Sequence, residues 1–210
     1  MLDERMLLLF VPAMIAFTLA PGPDTLFVVG SALRDGGRGG VLAAFGILLG
    51  GSVHITLAAV GLSVLILKSA LAFAIIKYAG GAYLVYLGVR TLLQRGVASP
   101  TSVVIAEPRS WKAIIARGFL TNALNPKVAM FVIAFFPQFV SPARGPVWSQ
   151  MVELGVLWYV VSLFWLSFVG LTVGRLGQSA TRTKQLQTVL KYAAGSIFIG
   201  LGLRVAIPDR

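Results

Sequence analysis

The sequence predicts an all-α membrane protein whose six transmembrane helices form two inverted three-helix repeats. Three observations carry this reading. The 210-residue chain is 57% hydrophobic and 12% charged, with a mean hydropathy of +0.87, whereas soluble domains average about 25% charged residues. Six stretches reach the roughly 20 mostly apolar residues that a bilayer-crossing helix needs: 6–31, 41–67, 69–93, 117–140, 146–174 and 186–207. Segments of the first half also recur, in order, in the second.

The elements follow in chain order. The first stretch is preceded by acidic Asp3 and Glu4 where a secretory leader would be basic, so it reads as a retained helix. It is interrupted by Pro21-Gly22-Pro23-Asp24, and Arg34-Asp35-Gly36-Gly37-Arg38 connects it to the second stretch. That second stretch is uncharged apart from His54. The third is followed by the longest connection, 94–116, with Ser99-Pro100, Glu107-Pro108 and several basic residues. The fourth is interrupted at Asn125-Pro126, the fifth carries Glu153 near its start, and the sixth closes the chain. None alternates with the period of two required of a membrane barrel. The expected organisation is one transmembrane domain over 1–210: repeat one over 6–93, a linker over 94–116, and repeat two over 117–207.

Composition also excludes functions. With no cysteine and a single histidine, the chain has no disulfide framework, thiolate metal site or histidine-rich centre, and no cofactor or metal is implied. The formal charge of +11 reads as flanking orientation signals rather than a nucleic-acid surface. Ten cations fall on the first, third and fifth connections (Arg34, Arg38, Arg90, Arg95, Arg109, Lys112, Arg117, Arg175, Arg182, Lys184). Five fall on the other side (Arg5, Lys68, Arg144, Arg204, Arg210). The positive-inside rule then places both termini outside the inner membrane.

The repeat is clearest between 75–93 and 189–207. These align without a gap and share Lys77/Lys191, Tyr78/Tyr192, Ala79/Ala193, Gly81/Gly195, Leu87/Leu201, Gly88/Gly202 and Arg90/Arg204. Gly46 stands fifteen residues before Gly61-Leu62-Ser63-Val64 as Gly155 stands before Gly170-Leu171-Thr172-Val173, and Gly22-Pro23-Asp24 aligns with Asn125-Pro126-Lys127. Three spans per copy force the second copy to enter from the opposite face, the inverted layout of secondary transporters, which bind substrate at broken helices near the midplane.

The candidate site residues lie at the two breaks. Pro21 and Pro23 remove backbone donors and Gly22 relaxes the chain; Asn125-Pro126 does the same, with Asn122 one turn earlier. Freed carbonyls persist in a bilayer only against protein or a water-filled cavity. Asp24 and Lys127 align across the repeat, so the expectation is that they converge at the midplane. There they would engage the ammonium and carboxylate of a zwitterion, or pass a proton. His54 is a candidate relay, although a lone intramembrane histidine more often serves packing. Lys77 and Lys191 have stems long enough to snorkel. Gly46/Gly50 and Gly170/Gly174 suit close helix packing, within one chain or between copies in a homo-oligomer.

Several of these motifs resemble one family. Pro21-Gly22-Pro23-Asp24, Gly46-Ile47-Leu48-Leu49-Gly50 with His54, and 81–88 are similar to the first half of the lysine exporter family, also called the homoserine/threonine resistance family. The run 118–127 and Phe136-Pro137-Gln138-Phe139-Val140 are similar to its second half. The resemblance implies a six-span inner-membrane exporter of amino acids or close derivatives, driven by protons. Family members commonly have Asn where this chain has Asp24, and many carry an acid where it has Gly51. The implied partners are a small zwitterionic substrate, protons and the lipid bilayer. The competing classes are a membrane-embedded enzyme, for which the spans offer no nucleophile–base pair, and a non-transporting membrane subunit, which has no need of paired breaks.

Overall fold

The computed structural model describes residues 4–20, 22–62, 70–93, 110–176, 192, 195–200 and 202–203, which are helical with short connections and include no strand. Six helices carry the described fold: α1 (Glu4–Leu19), α2 (Pro23–Leu57), α3 (Ala70–Leu93), α4 (Trp111–Ala123), α5 (Pro126–Phe135) and α6 (Val147–Leu176). A π-helical turn, Ala58–Leu62, extends α2, and 3-10 turns at Phe136–Phe139 and Pro142–Arg144 link α5 to α6. Val147–Leu176 is long and apolar enough to cross a membrane, with a mean hydropathy of 2.0, and so is Pro23–Gly61, at 1.9, although this run is bent back at Gly36. Trp111–Ala123 and Pro126–Phe139, bent by 51°, make a third crossing if the pair is one span. Most of the expected sixth stretch, the 94–109 part of the expected linker and Pro21 lie outside the described residues.

The turn expected at 34–38 sits inside α2. Gly36 has φ +70° and ψ −173°, a left-handed backbone that glycine adopts without a Cβ clash. The chain folds back on itself there. A methyl added at Gly40 would lie 3.0 Å from Ala32 Cβ, and one at Gly39 would lie 2.8 Å from the Ser31 carbonyl, whereas eight residues of straight helix span about 12 Å. Residues 23–35 and 37–57 are therefore separate helical arms. The bidentate Arg34–Asp35 ion pair, 2.8 Å at its shortest, sits at this turn.

The fourth apolar stretch, expected from 117, is preceded by further helix: α4 begins at Trp111, capped by Ser110 Oγ accepting the Ala113 N–H at 3.3 Å. Lys112 in the first turn and Arg117 in the second lower the hydropathy of this start enough to resemble a loop, while the serine cap satisfies one of its free backbone donors.

The second arm of α2 packs between α4 and α6 through backbone approach. Gly46 lies against the Ile115 carbonyl, Gly50 against Phe119 and Asn122, and Gly40 against Gly170; a Cβ at any of these would meet main chain. Without a hydrophobic drive between helices in lipid, such close van der Waals contact is what holds them. The small-residue spacings noted in the sequence are thus used within the chain. On the other flank α1, α5 and α6 share an aromatic core. Phe17 stacks on Phe131 at 3.9 Å between centroids, Phe10 stacks on Phe135 at 5.6 Å, and Trp158 meets Phe17 edge-on at 5.7 Å. Backbone contact on one side and rings on the other fix where the two helix breaks meet.

Candidate functional site at two helix breaks

The first break separates α1 from α2. Gly22 is extended and offers no side-chain cap to α2, whose first position is Pro23 and second Asp24. An acid there complements the positive end of the helix dipole. The second break separates α4 from α5. Here Asn125 Oδ1 accepts the Lys127 N–H at 3.0 Å, and Pro126 fills the first helical position, where no donor is needed.

The two breaks are cross-braced. Lys127 Nζ donates to the Ala20 carbonyl at 3.1 Å, satisfying an acceptor at the C-terminal end of α1, where a cation suits the dipole. The same ammonium sits 4.5 Å from the centroid of the Phe17 ring, a cation–π contact. In return Asp24 accepts from Asn122 Nδ2 at 2.8 Å and from Asn125 Nδ2 at 3.2 Å. His54 Nε2 lies 2.9 Å from the Asn122 carbonyl; since a carbonyl only accepts, this nitrogen carries the proton. That carbonyl also accepts the Asn125 N–H at 2.8 Å.

Asp24, Lys127, Asn122, Asn125 and Gly22 line one cavity of about 40 Å³. By the roughly 10–15 Å³ a water needs, this holds about three waters and is too small for an amino acid. Asp24 and Lys127 share this cavity without a direct ion pair; among the described residues, the pair within 4.0 Å is Arg34–Asp35. Pro23, Pro126 and His54 support the breaks but do not line the cavity.

The cavity also holds residues that the sequence reading missed. From α6 come Trp158, Tyr159 and Ser162, and from α1 come Phe17 and Thr18. Trp158 Nε1 donates to Thr18 Oγ1 at 3.1 Å, and Thr18 donates to the Met14 carbonyl at 2.9 Å. Ser162 Oγ lies 3.3 Å from Thr18 Oγ1, closing a polar latch between α1 and α6. An indole or phenol inside an apolar run is the one signal that could have exposed them, since a buried ring with a polar tip needs a partner.

The comparisons with known proteins bear on this arrangement. The description of the LysE type translocators matches residues 15–208, taking in both breaks. The chain belongs to that family. It is 32% identical over 205 residues to an uncharacterized membrane protein of Vibrio cholerae, covering 98% of each chain. It is also 32% identical over 196 residues to a leucine efflux protein of Salmonella typhimurium, covering 91% of this chain and 90% of that one. No solved structure matches. As a LysE type translocator the protein resides in a membrane, and its polar cavity lies where two broken helices meet.

Proposed function

We propose that this translocator is a secondary exporter of neutral amino acids across the bacterial inner membrane, with inward proton movement driving substrate outward. The observation that carries the reading is the placement of one acid and one base, Asp24 and Lys127, on one small cavity between two helix breaks. An α-amino acid presents the complementary pair of charges. The Lys127 ammonium has three donors and spends one on Ala20, so it can bind a carboxylate. Each Asp24 oxygen accepts one amide N–H and keeps acceptor capacity for an ammonium.

Part of the wall is apolar, with Ile47, Leu48, Leu166, Phe17 and Trp158. This suits an aliphatic side chain such as that of leucine, after which several related efflux proteins are named. At about 40 Å³ the cavity is smaller than an amino acid, so substrate binding requires the breaks to part.

An inverted two-fold relation between the halves is part of this reading, and two sets of contacts support it. A methyl at Gly88 would meet the Gly195 carbonyl, and one at Gly202 would meet the Gly81 carbonyl. Exchanging each glycine for its repeat counterpart converts one contact into the other. The same exchange converts Lys127 beside Gly22 into Asp24 beside Asn125. Structural repeats related in this way rock about a fixed midplane site.

The test is transport in proteoliposomes loaded with labelled leucine. Making the exterior acidic accelerates leucine exit if the reading holds. Exit at the rate of protein-free vesicles, with leucine and with every other neutral amino acid, overturns it.

A further inference from the structure

Two polar atoms in the cavity have no hydrogen-bond partner among the described residues. Asn122 is only 4% exposed, and its amide is divided: Nδ2 donates to Asp24, while Oδ1 is fully buried without a hydrogen bond. The Tyr159 hydroxyl is buried and equally unpartnered. Both face the same gap. A methyl on Gly51 would lie 3.4 Å from Asn122 Oδ1, 3.5 Å from the Tyr159 hydroxyl and 3.1 Å from Tyr159 Cε1. Gly51, Asn122 and Tyr159 all line the cavity. Buried polar atoms are nearly always paired in folded proteins, and unpaired ones aimed into a void mark a place where a ligand completes the set.

The chemistry of the ligand follows from the chemistry of the atoms. An amide oxygen is purely an acceptor, and a phenol oxygen accepts as readily as it donates. The partner must therefore bring hydrogen-bond donors. Asn122 also couples the gap to the charged centre, because its other end holds Asp24. A primary ammonium has three N–H donors, and Asp24, Asn122 and Tyr159, which line the same cavity, offer acceptor oxygens.

We propose that Asn122 Oδ1 and the Tyr159 hydroxyl, facing the gap left by Gly51, form an ammonium subsite that selects substrates with a primary α-amino group. This rests on the exporter reading and adds a specificity determinant that neither break supplies. The carboxylate goes to Lys127, the ammonium is shared between Asp24 and this neutral pair, and each N–H removed from the ligand leaves one buried acceptor unpaired.

The experiment is competition with labelled leucine in proteoliposomes by unlabelled leucine, N-methylleucine and N,N-dimethylleucine. The wild-type protein should prefer leucine by about tenfold for each N–H lost, as for a hydrogen bond to a charged group. Tyr159→Phe removes a single oxygen, and should raise the half-saturation for leucine about tenfold while erasing one step of the discrimination. Gly51→Ala, which fills the gap and leaves every polar group in place, should erase it as well. If leucine is transported but both variants discriminate as the wild type does, the subsite is wrong and the exporter reading stands. If the wild type moves no amino acid, both fall.

Discussion

The two helix breaks align in the sequence but are held in different ways. The second is largely self-sufficient. Asn125 caps α5 with its own Oδ1, and the Asn122 carbonyl has donors from Asn125 and His54. The first depends on the other half of the molecule: Gly22 supplies no cap, Ala20 borrows its donor from Lys127, and Asp24 borrows two amides from the second break. The break that owns its partners is suited to be the fixed wall of the site, and the one that borrows them to be the part that opens.

The largest effect should come from the residue that links the two. Lys127→Ala leaves the Ala20 carbonyl without its donor. It should lower stability by about 2 kcal/mol, as when a hydrogen bond from a charged group to a buried acceptor is lost, and leucine transport by about a hundredfold, measured by thermal unfolding in detergent and by vesicle efflux. Lys127→Arg keeps the donor and should recover part of both. A similar loss of stability is expected at Asn125, whose two ends do different work. Asn125→Ala should cost about 2 kcal/mol, combining a lost cap with a lost bond to a carboxylate. Asn125→Asp keeps the cap acceptor but replaces the amide donor with a second acid against Asp24, so it should be at least as destabilising as Asn125→Ala and lose transport. The smallest effect belongs to His54, because the carbonyl it serves has another donor. His54→Ala should cost about 1 kcal/mol or less, and a complete loss of transport would instead make it a proton carrier.

Much of this contrast was legible in the sequence, though not its asymmetry. The proline and glycine breaks stand out because those residues remove donors or relax the chain, and α3 and α6 were bounded closely because they are continuous apolar runs. The hairpin at Gly36 was anticipated from its charges and glycines. The start of α4 was not, because hydropathy weighs Lys112 and Arg117 more than a serine cap. Opposite charges at aligned positions suggested a direct meeting of Asp24 and Lys127. The structure gives each a carbonyl or amide partner from the opposite break instead, and spacing along a chain carries no information on which neighbour a long side chain reaches. Tyr159 and Trp158 were missed because an aromatic residue in an apolar helix looks the same whether it packs against a ring or turns a hydroxyl into a cavity.

The central claim is that the two breaks enclose a polar, substrate-accessible cavity within the bilayer. Because the chain has no native cysteine, single cysteines report on it without background. Ser162 lines the cavity, while Phe164, two residues along α6, is 74% exposed on the outer face of the fold. In membranes, Ser162→Cys should react with a charged, water-borne thiol reagent and be protected by leucine, while Phe164→Cys should remain inert. Equal labelling at both positions, or reaction at 164 alone, would contradict the account.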